Sequence, residues 1–90
     1  MTIVRSAVAG TLESSDALVS IAPSRQLEVH VESVVMKQFG DAIEASVRQV
    51  LRELSVTGAQ VRVQDRGALD CTIRARVETA VLRGGEEKPS

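Results

Sequence analysis

Apolar and polar residues alternate along two segments of the chain, which is the pattern of a strand with one buried face. In residues 27–32, Leu and Val occupy every second position, and Glu and His occupy the positions between them. Residues 61–64 repeat the alternation as Val-Arg-Val-Gln. Successive side chains of a strand point to opposite faces, so both segments predict strands in a sheet with one covered and one wet face.

A β-hairpin is predicted in the first quarter of the chain. Small and β-branched residues dominate residues 7–12 and 17–21, and the cluster Glu13-Ser14-Ser15-Asp16 separates them. Such a cluster between two extended segments favours a four-residue hairpin loop. The hydroxyls of Ser14 and Ser15 are then exposed at the tip, where a modifying enzyme could reach them. Pro23 and its polar neighbours mark the connection to the next strand.

The hydrophobic period changes to three and four in residues 34–54, which predicts an amphipathic helix. Ser33 is its expected N-cap. Gly40, inside the helix, indicates close backbone packing. The predicted apolar stripe, expected to face the sheet, consists of Met36, Phe39, Ile43, Val47, Val50, Leu51 and Leu54.

The last element fits two patterns, because residues 69–78 alternate like a strand while residues 68–83 also carry a helical stripe. We predict a helix, since a strand of about 16 residues is unusually long. Asp65 is the expected cap at its start, and Gly84-Gly85 ends it. Residues 86–90 are expected to form a disordered polar tail.

The resulting order, β-β-β-α-β-α, predicts an α+β fold. Its form is a two-layer sandwich in which two helices cover one face of a four-stranded, mainly antiparallel sheet. Residues 1–85 constitute a single domain, because a chain of 90 residues supports one modest core.

Composition narrows the classes of function. The formal net charge is −1, and Phe39 is the one aromatic residue, so neither a basic face nor base-stacking side chains suggest nucleic-acid binding. No apolar run approaches the ~20 residues of a membrane span, and no signal region is visible. A single cysteine excludes an intramolecular disulfide framework. A soluble cytoplasmic protein without membrane or nucleic-acid partners is expected.

No catalytic or metal-binding constellation is recognisable. His30 is the single histidine, lies on the polar side of its strand, and is predicted to be an ordinary surface residue. Cys71 lies beside Asp70, which disfavours a reactive thiolate, and is predicted to be a packing residue. One histidine and one cysteine far apart in sequence do not resemble a zinc site.

Two features of the last helix have alternative interpretations. Arg74, Arg76 and Arg83 are predicted to form a solvated face, with contacts to cofactor phosphates as the alternative. A second, weaker apolar stripe is predicted to pack against the neighbouring helix, with a partner subunit as the alternative. Its members are Ala68, Cys71, Ala75 and Leu82.

Three blocks of the sequence resemble one known family in the same order. They are Ala-Gly-Thr-Leu-Glu-Ser-Ser-Asp (9–16), Lys-Gln-Phe-Gly-Asp-Ala-Ile (37–43), and Asp-Arg-Gly-Ala-Leu-Asp-Cys with Arg-Ala-Arg (65–76). They resemble segments of the acyl carrier (gamma) subunit of citrate lyase. In that family the serine after the glutamate carries a CoA-derived group, which implies that Ser14 is the attachment site. Ser15 stands where the family often has glycine, so it is the fallback site.

The resemblance implies a carrier and not a catalyst. The implied cofactor is a covalently attached phosphoribosyl-dephospho-CoA group whose thiol holds an acetyl thioester. The implied partners are the citrate lyase alpha subunit (the acyl transferase), the beta subunit (the citryl lyase) and a prosthetic-group transferase. Two alternatives remain at this point. One is the acyl carrier subunit of malonate decarboxylase, and the other is an unmodified α+β interaction module.

Overall fold

Strands and helices follow each other in the predicted order in a computed structural model, which describes residues 1–86. The main elements form the predicted α+β sandwich, and two strands of two residues each are added to them. The elements are β1 (Thr2–Ile3), β2 (Ala7–Gly10), β3 (Ala17–Ala22), β4 (Leu27–Ser33), α1 (Met36–Glu53), β5 (Ala59–Asp65), α2 (Asp70–Gly84) and β6 (Gly85–Glu86).

The main sheet has the strand order β2-β3-β5-β4. β2 and β5 both pair with β3 antiparallel, whereas β4 pairs with β5 parallel. The prediction of a mainly antiparallel four-stranded sheet is therefore confirmed. The parallel pair has a consequence for function, because it brings the carboxyl ends of β4 and β5 to the same edge as the β2–β3 connection.

The predicted alternation decides which residues face the helices. Val31, Val63, Val19 and Ala9 form one row across the sheet through their register partners. In β3 and β5 the inward residues are buried, and in β4 they are half-buried because β4 is an edge strand. The helices contribute the other half of the core, namely Ile43, Val47, Val50 and Leu51 from α1 and Ile73, Val77, Ala80 and Val81 from α2.

The start of α1 differs from the prediction, because Met36 and Phe39 are 46% and 52% exposed. The two helices run parallel, since Ser46 hydrogen-bonds Asp70 and, further along both helices, Arg74 donates to Gln49. Ser46 thus meets the first residue of α2. Phe39 lies seven positions earlier, about 10 Å at 1.5 Å per residue, where there is no α2 to pack against.

The predicted caps are also wrong, although both residues are structurally important. The N-caps are Val35 for α1 and Leu69 for α2, and neither makes a side-chain cap hydrogen bond. Ser33 ends β4 instead, where its hydroxyl accepts the Val35 N–H at 3.0 Å and donates to Asp65 at 2.7 Å. Asp65 is almost fully buried and accepts the Ala68 N–H at 2.8 Å, so it orders the loop ahead of α2.

Of the predicted second apolar stripe, Ala68 is half-buried and lines a groove with Ile43 of α1, but the other three residues do not pack against α1, so the prediction is wrong for them. Cys71, Ala75 and Leu82 are exposed, and polar contacts on the other side of α2 join the helices. Cys71 is consequently not a packing residue. The close packing expected at Gly40 is a contact with one flexible side chain, since an added Cβ would meet the Met36 thioether.

The hairpin and the two ends of the chain differ from the prediction. The hairpin connection is six residues long, 11–16, because β2 ends at Gly10 and β3 begins at Ala17. β1 and β6 pair with each other away from the main sheet, a contact that the sequence did not predict. Glu86, expected in the tail, pairs with Thr2, and the rest of that predicted tail lies outside the described residues.

Candidate functional site

The β2–β3 connection, residues 11–16, lies at the sheet edge where β4 and β5 end. Ala17 opposes Asp65, and Asp65 opposes Ser33, so the start of β3 lies beside both carboxyl ends. The loop 66–69, which leads into α2, starts at the same edge. Residues that are far apart in sequence therefore surround the tip.

Ser14 and Ser15 occupy the two central positions of a tight turn. The Asp16 N–H donates to the Glu13 carbonyl at 3.2 Å, which closes the turn. Both serines are exposed, as predicted, and no hydrogen bond within residues 1–86 engages either hydroxyl. Ser15 has a φ of 65°, in the left-handed region that favours glycine. This backbone conformation gives a physical reason for the small residue expected at this position.

The tip is held against the body of the protein by backbone hydrogen bonds. The Ser15 N–H donates to the Arg66 carbonyl at 2.8 Å, and the Arg66 N–H donates to the Asp16 carbonyl at 2.9 Å. These bonds extend the β3–β5 pairing by one residue beyond Ala17. The two exposed hydroxyls are thus presented from a fixed base and not from a free loop.

Asp16 joins the tip to α2 through a charged pair. Arg76 donates from Nε and Nη2 to the two Asp16 carboxylate oxygens, at 3.0 and 3.1 Å. The Thr11 hydroxyl and the Ala17 N–H each donate to the same carboxylate at 2.7 Å. These hydrogen bonds, that from Arg76 first, lower the pKa of Asp16 to about 2. At neutral pH the carboxylate is ionised and anchors the tip.

Gly10 ends β2 at a point where no other residue fits. Its φ is +91°, and a Cβ built on it would lie 1.8 Å from the Ala17 carbonyl oxygen. The same Cβ would lie 3.1 Å from Cδ of Arg76. The absence of a side chain lets the Arg76 stem pass close to the hairpin and reach Asp16.

The other candidate residues lie apart from the tip. His30 is exposed in the middle of β4, and β5 separates β4 from the hairpin strand β3. Arg74 binds Asp70 and Gln49, while Arg83 donates to the Val8 carbonyl. Within residues 1–86, no three His, Cys, Asp or Glu side chains are placed to hold a metal. No helix in this range is long and apolar enough to cross a membrane.

Comparison with known proteins relates this arrangement to one family. The family described as malonate decarboxylase delta subunit (MdcD) matches residues 4–84. A citrate lyase acyl carrier protein of Haemophilus influenzae (strain PittEE) is 54% identical over 97% of this chain and 92% of its own length. That of Treponema denticola is 51% identical over 97% of this chain and 100% of its own length.

The chain belongs to the citrate lyase acyl carrier protein family. Among solved structures, a chain in a Pseudomonas malonate decarboxylase hetero-tetramer has the same fold, with a TM-score of 0.78. The match covers 94% of this chain and 93% of that one at 18% identity, so it concerns the fold alone.

In this member of the citrate lyase acyl carrier family, the sequence predicted the exposed position of the two serines. It did not predict the residues that hold their turn against the sheet and α2. Arg76 and Asp16 are 60 residues apart, and no local pattern links an arginine in one element to a carboxylate that far away. Gly10 carried a usable signal, because an isolated glycine in a strand pattern indicates a bulge or close backbone approach. Arg66, whose backbone binds both Ser15 and Asp16, had none.

Proposed function

We propose that this chain is the acyl carrier subunit of a citrate lyase, and that Ser14 carries its prosthetic group, phosphoribosyl-dephospho-CoA. The observation that carries the proposal is the position of Ser14. It follows Glu13 in the segment that resembles the family's attachment site, and it lies exposed in a turn fixed to the sheet. The names of the 51% to 54% identical relatives support the choice of citrate lyase.

The residues at the tip fit a phosphodiester-linked group. Ser14 offers a hydroxyl that no intrachain hydrogen bond within residues 1–86 occupies. Arg66 is exposed directly after β5, and its backbone is bonded to Ser15, so a cationic residue adjoins the turn; arginine is a frequent phosphate-binding residue. Asp16 is neutralised by Arg76, so it does not repel that phosphate as a free carboxylate would. When bound, the group supplies a thiol that carries the acyl chain as a thioester.

The chain's own contribution is to bind and aim this group. Tethering keeps the acyl chain at high effective concentration near the active sites of an acyl transferase (alpha) and a citryl lyase (beta) subunit. The fixed turn determines the direction in which the tether leaves the protein. No chemical step is assigned to a side chain of the carrier itself.

The test is attachment of the group in vitro. The purified chain, Ser14→Ala and Ser15→Ala are incubated with the cofactor precursor and its transferase, and intact mass and tandem mass spectra are recorded. We expect the wild type and Ser15→Ala to gain the mass of the group, and Ser14→Ala to gain none. Both substitutions are at exposed turn positions and should change stability by less than about 0.5 kcal/mol.

The possible outcomes test the attachment site, the carrier role and the citrate lyase activity separately. A group mapped to Ser15 would move the site by one residue. No added mass on either serine, under conditions that modify an established carrier, would leave an unmodified interaction module as the interpretation. With the alpha and beta subunits added, the loaded wild type should cleave citrate, and Ser14→Ala should not.

A malonate decarboxylase carrier is the second candidate, because the matching family description and the solved hetero-tetramer both name that enzyme. The loaded chain can be mixed in parallel with the partner subunits of each enzyme. Turnover of malonate and not of citrate would favour this second candidate. We expect citrate turnover, since the relatives above half identity are named for citrate lyase.

A further inference from the structure

Exposed apolar side chains gather at the edge of the molecule that carries Ser14. Eight large hydrophobic residues are exposed within residues 1–86, and five of them lie at this edge. We call these five the apolar rim: Leu12 (49% exposed), Val34 (62%), Met36 (46%), Phe39 (52%) and Leu69 (72%). The other three, Val4, Val8 and Leu82, lie elsewhere.

The apolar rim borders a groove that begins beside the tip. Phe39 and Ile43 of α1 form one wall, and Gly67, Ala68 and Leu69 form the other. Gly67 follows Arg66, whose carbonyl accepts the Ser15 N–H at 2.8 Å. Consecutive Cα atoms are 3.8 Å apart, so the wall of the groove starts within a few ångströms of the turn.

The tip is fixed beside this surface and is not a free loop. Backbone bonds to Arg66 and the Arg76–Asp16 pair hold it against the sheet edge. An enzyme that brings a reactive phosphate to the Ser14 hydroxyl must therefore cover the residues beside it. Leu12, two residues from Ser14, is within about 7 Å of it along the chain.

We propose that the apolar rim and its groove are the docking surface for the prosthetic-group transferase. This inference rests on the proposed function, because it assumes that Ser14 is modified. The enzyme is expected to present apolar side chains around its active-site mouth, one of which enters the groove between Phe39 and Leu69. Exposed apolar side chains that gather at one edge of a small protein indicate such an interaction site.

The size of the apolar rim favours a transient partner over a second copy of this chain. Stable interfaces bury about 800 Å² on each partner, so a second copy would have to cover polar surface beyond these five side chains. A modifying enzyme must release its product, so a small docking surface suits it.

The experiment measures the rate of loading for charge-introducing variants. Phe39→Asp and Leu69→Asp place a carboxylate on the apolar rim. Leu82→Asp is the matched control, because Leu82 is 55% exposed at the other end of α2 and receives the same charge. We expect kcat/KM for loading to fall at least tenfold for the two rim variants and to stay within twofold of wild type for Leu82→Asp.

Circular dichroism and thermal unfolding of each variant test whether the fold is retained. Leu69 is more exposed than Phe39, so Leu69→Asp still tests the inference if Phe39→Asp does not fold. Loading of both rim variants at the wild-type rate would overturn the inference while leaving the proposed function intact. Self-association of the wild type that Phe39→Asp abolishes would overturn it in favour of a second copy. Failure of the wild type to load would refute the proposed function itself.

Discussion

At the scale of single residues, Gly10 and Gly67 illustrate two different physical reasons for a glycine at a position of positive φ. Both have positive φ, +91° and +89°, but an added Cβ meets the Ala17 carbonyl at Gly10 and nothing within 4 Å at Gly67. Backbone strain alone costs about 1–3 kcal/mol. Gly67→Ala should therefore lose about that amount, and Gly10→Ala about 3 kcal/mol or more, since steric overlap is added to strain.

Urea denaturation of both glycine variants measures the difference. Gly10→Ala should also slow loading of Ser14, because the displaced hairpin no longer lets Arg76 reach Asp16. Equal losses of stability in the two variants would mean that the overlap at Gly10 is relieved by an easy backbone shift.

Asp16 makes the stability of the hairpin depend on pH. Its pKa falls from an ordinary value of 3.8 to about 2 in the folded protein, through hydrogen bonds from Arg76, Thr11 and Ala17. A carboxyl group with a lowered folded-state pKa stabilises the protein above its unfolded pKa and loses this effect as pH falls through the folded one. The contribution of Asp16 should thus be complete above about pH 4.5 and decline as the pH falls towards 2.

Comparison of the wild type with Asp16→Asn isolates this contribution. The difference in unfolding free energy between the two proteins, measured in urea, should be constant from pH 7 to about pH 4.5 and shrink below that. A difference that stays the same down to pH 2 would show that the charge of Asp16 is not what stabilises the turn.

At the scale of elements, α1 consists of a docked part and an undocked start. Ile43 is 7% exposed in the core, whereas Phe39, one turn earlier on the same stripe, is 52% exposed. Truncating a buried aliphatic side chain costs about 2–5 kcal/mol through lost transfer free energy and the cavity. Ile43→Ala should show that loss. Phe39→Ala should cost about 1 kcal/mol or less, because half of the ring already contacts water.

Chemical denaturation of the two variants is sufficient for this test. A loss below about 0.5 kcal/mol for Ile43→Ala would mean that α1 docks on the sheet by another face. A loss for Phe39→Ala as large as that for Ile43→Ala would mean that the groove closes over the ring in solution.

At the scale of the whole molecule, the two side chains most suited to chemistry lie apart from the tip and from each other. His30 lies on the open sheet face and Cys71 is exposed on α2, and neither is part of a nucleophile-and-base pair in the described residues. His30→Ala and Cys71→Ala should therefore load and transfer acyl groups at rates within about twofold of wild type. The measurement is citrate cleavage by the reconstituted complex. Loss of transfer in a folded, loaded Cys71→Ala protein would show that this thiol participates.

The sequence by itself determined the main strands and helices, their order and the position of the serines. Hydrophobic period depends on local geometry, so alternation at 27–32 and the helical stripes of α1 and α2 could be read without knowing what they pack against. The resemblance at residues 9–16 is the basis for proposing Ser14 as the attachment site, because such a site is a short contiguous segment of sequence. Turn chemistry likewise predicted that both hydroxyls are exposed.

Only the tertiary structure decided what surrounds those serines. The parallel pairing of β4 with β5 brings three chain reversals to one edge, and pairing partners depend on the whole sheet rather than on any one strand. The Arg76–Asp16 pair could not be predicted either, because the two residues are 60 positions apart in sequence. Phe39 belongs to the apolar stripe by period, yet it is exposed because burial requires a partner, and α2 begins too late along α1 to provide one.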